Sequence, residues 1–536
     1  MHADIDSVKT MRSRALNLFV FIVLLIPSAQ FAWRSRDMPE FAYLHDDGLL
    51  FISAKSLATG NGYRIPSLPE NPYQTKFPPL YPWFLSWIWR LNPAFPANLA
   101  LATLFCWATL AAFLALSWRL FQSDGYSQSR TWILTGLLGL SPYLILFGCT
   151  MFTEVFFTSF VLGTLLLARR PGNAAILAAA VVAGFAYLAR TAGIALLISV
   201  PLWLLWRREA KRALLFLVGM LPFVAAWSVW SRLHHTPSAD ATLIYYTDYI
   251  RYQFLNVDWG NLGLVLWKNA DQILYGMGAM ALPKVIENGP AKILTQVLGV
   301  AMISGIVRLV RKRTAVDYAL FAVLSAGILL LWHFPPNERF VLPLAPLLIA
   351  GLVTEIEHFI AMLRPAFGHK DFSQRIAAGV LSAGAGVVLA GALVLQSYVS
   401  FVFLKQSADQ KAAKLASLRQ SYQWIASHLP ASAGVLSYDD PLLYLYTGRR
   451  GNYLPLLPRW WYAEDHSSIL GAYRSVDIYC ERRGLNFIYF TSDDLSRETG
   501  DEDRNAIAQE IRANSHLKPV FSAGMGTIYQ VDPSTR

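Results

Sequence analysis

The 536-residue sequence predicts a mainly α, polytopic membrane protein with about eleven transmembrane helices, followed by an extracytoplasmic α/β domain at the C-terminus. Three features lead there. Hydrophobic residues make up 54% of the chain and charged residues only 15%, whereas soluble globular chains carry about 25% charged residues. Apolar runs of membrane-crossing length recur from the N-terminus to about Phe403. Beyond about Lys405 they stop, and helix-type and strand-type patterns alternate instead. This composition excludes a disordered chain, a coiled coil and a large cytosolic enzyme. The net charge of +11, from 46 Lys and Arg against 35 Asp and Glu, does not point to nucleic acid, because the basic residues sit between the apolar runs. Cys106, Cys149 and Cys480 are too scattered, and odd in number, for a disulfide framework or a metal site.

A bilayer core about 30 Å thick takes about 20 mostly apolar residues per helix, because backbone polar groups in lipid must be satisfied within the segment. By that ruler the spans run from Ala15 to Trp33, Asn98 to Trp118, Thr131 to Phe147, Phe152 to Leu167, Ala174 to Leu188, Gly193 to Trp206, Ala213 to Trp230, Ile293 to Val307, Tyr318 to Trp332, Phe340 to Ile360 and Ile376 to Phe403. Basic residues in short loops are retained on the cytoplasmic side. With the N-terminus inside (Lys9, Arg12, Arg14), alternate loops carry Arg119 and Arg130; Arg169 and Arg170; Arg207, Arg208, Lys211 and Arg212; Arg308, Arg311, Lys312 and Arg313; then Arg364, Lys370 and Arg375. Every basic cluster falls on one side. The expected location is therefore the inner or plasma membrane, with a cytoplasmic N-terminus. A first loop (34–96), a second large loop (231–290) and the tail lie outside. The basic start and apolar core of the first span also suit a signal peptide, but no small-x-small cleavage site follows, and Phe31 and Trp33 read as interfacial anchors.

The chain thus divides into a transmembrane domain, residues 1–404, and a C-terminal domain, residues 405–536. In the latter, Gln410 to Leu429 reads as an amphipathic helix, Gly434 to Tyr438 as a strand, Ser467 to Arg483 as a helix and Asn486 to Thr491 as a strand. A charged helix (Glu502 to Ala513) and a hairpin (Pro519 to Ser522, Thr527 to Val531) complete an α/β pattern.

The first external loop carries the densest chemistry. Asp46 and Asp47 precede an amphipathic helix, Gly48 to Thr59, expected to lie along the membrane surface. Adjacent carboxylates there can cap the helix and favour its dipole; they can equally take a proton from an acceptor hydroxyl or hold a divalent cation. Lys76 stands before Phe77, Pro78 and Pro79, whose rigid backbone holds it ahead of a segment rich in Trp83, Trp87 and Trp89. It can snorkel to headgroups or grip a lipid phosphate as a compact cation. Glu154, Arg190, His333, Glu338 and Arg339 stand at the external ends of later helices. Each alone reads as a snorkelling or paired charge, but their shared side suggests a site. In the tail, Asp439 and Asp440 before Pro441 read as an Asx-type turn starting a helix.

The Asp46 and Asp47 pair with Ala54 and Leu57, the GNGY turn (Gly60 to Tyr63), the KFPPLYP segment from Lys76, Thr153 with Glu154, the AR-T-G stretch around Arg190 and RFVLPLAP from Arg339 together resemble the GT-C superfamily of polyprenyl-phosphate-sugar-dependent glycosyltransferases. Within it the sequence is most similar to the branch holding the RgtA/B/C/D-like, protein O-mannosyltransferase and aminoarabinose transferase families. The resemblance spans about Ala15 to Leu348 and rests on the order and sidedness of short motifs.

That resemblance implies transfer of a hexosyl or pentosyl group from a membrane-embedded polyprenyl phosphate to a hydroxyl of an envelope lipid, glycan or protein on the external face, usually with inversion. Asp46 matches the family's loop carboxylate, the base or acceptor-orienting group. Asp47 stands where the family usually has Glu. Lys76 matches the lysine that stabilises the departing phosphate, and Arg190 and Arg339 would supplement it. Glu154 and His333 are left as acceptor or metal contacts. A Mg²⁺ or Mn²⁺ ion is expected if the Asp pair binds metal, since hard oxygen ligands suit those ions; no other cofactor is implied. The partners expected are the lipid-linked donor, the acceptor and membrane lipids. Two other readings compete. A secondary transporter would place its polar groups near the midplane and often show inverted repeats, and neither is visible here. The other is an envelope scaffold or a sugar-polymer ligase or polymerase: a polymerase would be expected to place its working residues in a large late external loop, whereas here the first loop carries them, and a scaffold would keep its partner binding with alanine at Asp46.

Overall fold

The computed structural model describes residues 2–42, 44–285, 288–367, 372–496 and 498–532, without the side chains of 2–14, 366 and 372. Tyr43, Lys370 and the side chains of Lys9, Arg12 and Arg14, all used in the orientation and loop reading, lie outside the described residues. The molecule is mainly helical, and every apolar segment expected to span is helical over most of its length. Among the described residues, 6 helices are long and apolar enough to cross a membrane: Ala15–Arg34, Leu99–Ser123, Ala210–Leu233, Gly289–Arg311, Glu338–Pro365 and Ser373–His428. Thr153–Ala168, Asn173–Ala189, Thr191–Trp206 and Val316–Leu330 are shorter apolar helices. Leucines and valines on these helices face outward, among them Leu16 (62% exposed) and Val387 (72%), an arrangement that suits lipid rather than water.

The segment from Thr131 to Phe147, expected as one span, is broken. Gln128–Gly139 and Pro142–Gly148 meet at 64°. Ser141 is extended, and Pro142 opens the second helix, where its missing N–H and ring-fixed φ are tolerated although they would break a helix interior.

The four short helices establish the polarity of the bundle. Arg169, Arg170, Trp206 and Val316, at one set of ends, line an open basic cavity with Arg119, Arg207 and Arg313. Thr153, Arg190, Thr191 and Leu329, at the other ends, line a different cavity described below. Four of the basic loops expected to share one side thus contribute to one cavity, through Arg119, Arg169 and Arg170, Arg207, and Arg313. Arg169 is held there between Asp124 (2.8 Å) and Asp317 (2.7 Å).

Close helix packing through small residues brings the later helices to the site. A Cβ added at Gly278 would lie 1.7 Å from the Thr295 carbonyl oxygen, and one at Gly305 would lie 1.8 Å from that of Gly351. Gly289–Arg311 is thus pressed between Leu262–Ala279 and Ala345–Phe367 with its backbone almost in contact with both. The short helix Glu338–Val341, which carries Arg339, leads into the last of these.

The first loop departs from expectation. Its helix, Asp46–Ala58, is buried around most of its circumference, with Leu49, Leu50, Phe51, Ile52, Ser53, Ala54 and Ser56 all inaccessible. It is not a surface amphipath, because Leu80–Leu91 covers one side and Asp440–Thr447 another. At Gly48 the chain comes so near Pro441 that an added Cβ would stand 2.6 Å from it. Of the three tryptophans expected at the interface, Trp83 and Trp87 are half exposed, but Trp89 is buried and its indole N–H donates to the Phe51 carbonyl at 3.0 Å.

The C-terminal region forms a five-stranded mixed sheet in the order β2-β1-β3-β5-β4. The strands are β1 (Gly434–Ser437), β2 (Arg450–Asn452), β3 (Phe487–Thr491), β4 (Leu517–Ala523) and β5 (Gly526–Val531). β1 runs parallel to β2 and β3, and β5 antiparallel to β3 and β4. The stretch from Ser467 to Arg483, expected as one helix, bends at Ser475 into His466–Arg474 and Val476–Arg483. The bend lets Ile469, Tyr473, Val476 and Cys480 enter the same apolar core. The last apolar helix continues through a π-helical turn, Val399–Phe403, into Leu404–His428, so residues 404 and 405 lie inside helical chain. One apolar core runs from the bundle into the sheet through Leu418, Ile425, Val435 and Leu443.

Gly305→Val should therefore force the Gly289–Arg311 and Ala345–Phe367 helices apart at a cost of at least about 1–3 kcal/mol and lower the thermal midpoint of the detergent-solubilised protein by several degrees. Gly327→Ala, where an added Cβ meets nothing within 4 Å, should leave that midpoint unchanged in the same assay.

Candidate active site

The cavity at the other end of the short helices has a volume of about 410 Å³ and is lined by Asp46, Lys76, Arg190, His333 and Arg339, with Tyr245 and Tyr249 from the second loop. Residues far apart in sequence are gathered there by three elements: the first loop (34–96), the second loop (231–290) and the ends of the short helices.

Its most ordered feature is an alternating chain of charges. Arg339 donates from Nη2 to Asp46 Oδ2 at 2.8 Å and from Nε to Glu154 Oε1 at 2.5 Å. Arg190 donates to the same Glu154 oxygen and, at 3.2 Å, to Thr153 Oγ1. Arg190 and Arg339, expected to supplement Lys76 at a phosphate, line the cavity but are both engaged by carboxylates. Glu154, expected to contact an acceptor or metal, is fully buried and does not line the cavity. Two guanidinium groups converge on its Oε1, so it acts as the anchor that sets where they sit.

Lys76 differs from the arginines. It is 5% exposed, and among the described residues its ammonium has no hydrogen-bond or ion-pair partner. It rests on aromatic faces instead, 3.8 Å from the ring centroid of Tyr245 and 5.3 Å from that of Tyr249. Its backbone is fixed by the Gln74 carboxamide oxygen, which accepts the Lys76 and Phe77 N–H groups at 3.0 and 3.2 Å. Helix Leu80–Leu91 begins directly after Pro79, as the Pro-Pro pair suggests. Burial lowers the Lys76 pKa to about 8, against the opposing pull of Asp46.

Burial alone would push the Asp46 carboxyl up, but Arg339 and Lys76 together outweigh it and hold it below the ordinary carboxylate value. Asp47 behaves oppositely. It does not line the cavity; its Oδ2 accepts the Ala42 N–H at 2.9 Å, and burial pushes its pKa up to about 7. The structure therefore does not bring the two adjacent aspartates to one site, because consecutive helical residues project in different directions. His333 lines the cavity, bonded through Nδ1 to Gln253 Oε1 at 2.9 Å. Burial, aided by Lys76, lowers its pKa to about 3, so it presents a neutral imidazole.

Charge counting then singles out one group. Asp46 and Glu154 offset Arg190 and Arg339 through direct bonds, and the remaining positive charge is Lys76. Both carboxylates are turned to guanidinium groups, and among the described residues no group of three or more His, Cys, Asp or Glu side chains could hold a metal ion. Of the Asp pair expected to bind Mg²⁺ or Mn²⁺, only Asp46 lines the cavity.

Sequence reading missed His45, Tyr245, Tyr249 and Asp440. The tyrosines belong to a run, Tyr245, Tyr246, Tyr249 and Tyr252, whose aromatic density in the second loop was the available signal. Asp440 does open a helix, but neither it nor Asp439 forms the expected capping bond. Its Oδ1 instead meets His45 Nε2 at 2.7 Å.

No family model and no curated protein matches the chain. Among solved structures, ArnT from Cupriavidus metallidurans bound to undecaprenyl phosphate superposes with a TM-score of 0.52 at 15% identity, over 96% of this chain and 98% of the other. The apo state of that protein gives a TM-score of 0.49 at 14% identity, over 95% and 97%. The chain shares the fold of that ArnT. With its apolar helices, this fold makes it an integral membrane protein. The shared fold covers 96% of the chain, whereas the motifs that suggested the family end near Leu348.

Removing the Glu154 carboxylate should be costly, since it leaves two buried guanidinium groups facing each other. Glu154→Gln is expected to destabilise the protein by about 3–5 kcal/mol, seen as a fall in the thermal midpoint larger than that of Asp46→Asn, which frees only one.

Proposed function

We propose that this protein is a glycosyltransferase of the inner or plasma membrane that moves a sugar from a polyprenyl-phosphate donor to a hydroxyl of an envelope lipid, glycan or protein, on the extracytoplasmic face and with inversion. The observation that carries the reading is the buried, unpaired ammonium of Lys76 in one cavity with the ionised Asp46. Burying an unpaired ion costs several kcal/mol, and a ligand anion that offsets it explains why the fold keeps it. The GT-C fold is shared with a protein solved with undecaprenyl phosphate bound, which gives that anion a chemical identity. The basic loops at the far ends of the short helices support a cytoplasmic face there and an extracytoplasmic cavity here.

In this reaction the acceptor oxygen attacks the anomeric carbon as the bond from that carbon to the phosphate oxygen breaks. Negative charge grows on the phosphate, where Lys76 stabilises it. The hydroxyl proton passes to Asp46, which lies within the field of Arg339 and is therefore a weak base. Such a base suits a late proton transfer, after most of the bond to phosphate has broken. The neutral His333 can orient sugar or acceptor hydroxyls without adding charge.

Asp46→Asn should reduce transfer from a polyprenyl-phosphate sugar by at least about 100-fold while leaving the detergent elution profile unchanged; turnover near the parent rate would remove Asp46 from the role of base. Lys76 supplies a pH test. Its pKa in the free protein is about 8, and a phosphate binds best to the charged form. Affinity for undecaprenyl phosphate should be full below about pH 8 and weaken up to about tenfold per unit above it, since the phosphate is already dianionic there. Lys76→Arg, charged throughout, should flatten that limb in a binding titration.

A further inference from the structure

The residue just before Asp46 has an unusual backbone. His45 has φ 67° and ψ −44°, and the Asp46 N–H donates to the Leu44 carbonyl two residues back at 2.8 Å. This is a γ-turn of the rare, strained hand, and such turns persist only where surroundings over-determine them. Here both ring nitrogens of His45 are engaged. Nε2 meets Asp440 Oδ1 at 2.7 Å, and Nδ1 meets the Tyr245 hydroxyl at 3.0 Å. Asp440 Oδ1 also accepts the Tyr246 hydroxyl at 2.8 Å, and that oxygen in turn accepts the Tyr453 N–H at 3.2 Å. Tyr245 presents its ring to Lys76, with the ammonium 3.8 Å from the centroid.

One buried carboxylate from the C-terminal region is thus connected to both charged groups of the cavity. Through His45 it braces the turn that aims Asp46, and through His45 and the Tyr245 hydroxyl it fixes the ring beneath Lys76. We propose that Asp440 is a positioning residue: it couples docking of the C-terminal region to the placement of Asp46 and Lys76 without itself touching substrate. The carboxylate accepts from His45 Nε2–H, which leaves Nδ1 to accept the Tyr245 hydroxyl. Loss of the carboxylate frees the imidazole to change tautomer or turn away. This rests on the reading of Lys76 as the cation that holds the donor phosphate.

The test uses the full chain in detergent and two readouts, the Kd for undecaprenyl phosphate and kcat for transfer. Asp440→Asn should raise the Kd about tenfold and also lower kcat, because both groups lose their support. Tyr245→Phe removes one oxygen, keeps the ring and the fold, and should raise the Kd about threefold with little change in kcat. The double variant should be no worse in Kd than Asp440→Asn alone, as members of one chain of contacts are not additive. Tyr479→Phe cuts a different link between the same segments, the 2.8 Å contact with Thr242 Oγ1, and should leave both readouts within about twofold of the parent.

Parent-like binding and turnover in Asp440→Asn, additive losses in the double variant, or an equal loss in Tyr479→Phe would each overturn the proposal; the last would reduce it to general docking. If Asp440→Asn does not fold, the Tyr245→Phe and Tyr479→Phe pair still decides, since equal behaviour of the two refutes it. Lys76→Ala separates the failures. If it weakens binding and Asp440→Asn does not, only the positioning role falls; if the parent itself does not bind undecaprenyl phosphate, or Lys76→Ala binds as well as the parent, the functional reading falls and takes this proposal with it.

Discussion

A lysine ammonium held out of water without a carboxylate to pair it is the constraint on which this site depends. The simplest relief would be collapse of Asp46 onto Lys76 as an ordinary salt bridge. Arg339 prevents it by holding Asp46 Oδ2 at 2.8 Å, and Glu154 in turn holds Arg339 and Arg190. The aromatic faces of Tyr245 and Tyr249 then receive the ammonium in place of an anion. Such contacts are worth about 2 kcal/mol or more when desolvated, short of the several kcal/mol an unpaired buried ion costs. The shortfall keeps the site receptive to an anion.

Keeping charges apart at this range requires stiff surroundings, and the fold supplies them by making the first and second large loops one body with the C-terminal region. Arg483, almost buried, pairs with Glu70 of the first loop at 2.6 Å and Asp240 of the second at 3.3 Å. The Gly451 N–H donates to the Ser67 carbonyl at 2.8 Å, and Tyr462 donates to Asn269 Oδ1 at 2.6 Å. The apolar core is continuous from the bundle to the sheet. Movement of either loop alone would break these contacts together.

Much of this was legible in the sequence, and the exceptions share a cause. Apolar runs locate the helices because the bilayer imposes their length, and Asp46, Lys76, Arg190, His333 and Arg339, which sequence reading placed on one side, do line one cavity. What fails is inference from adjacency. Asp47 follows Asp46 in the chain but turns to the Ala42 N–H. The helix Asp46–Ala58 and Trp89 look like surface elements only until the cover that hides the helix, contributed by residues near Pro441, is known. His45 and Asp440 are 395 positions apart, so no local pattern announces their pairing. Proline at position 142 did carry a signal for the bent span, which an apolar count over the whole segment averaged away.

The site divides two cationic chemistries between its tasks. Arginine's planar fork favours fixed, directional bonds to carboxylates, and both arginines are used that way, setting Asp46 and Glu154 in place. Lysine is a compact point charge on a flexible stem whose three donors can follow a moving partner. In the proposed reaction the phosphate gains charge and draws away from the sugar as the bond to it breaks, so the group that attends it has to adjust while the base stays still. Exchange of the two types would fail in both directions: an arginine at position 76 would bind phosphate firmly in one geometry and resist its departure, and a lysine at position 339 would release Asp46 toward position 76. The site therefore depends on where each kind of cation stands as much as on the number of positive charges.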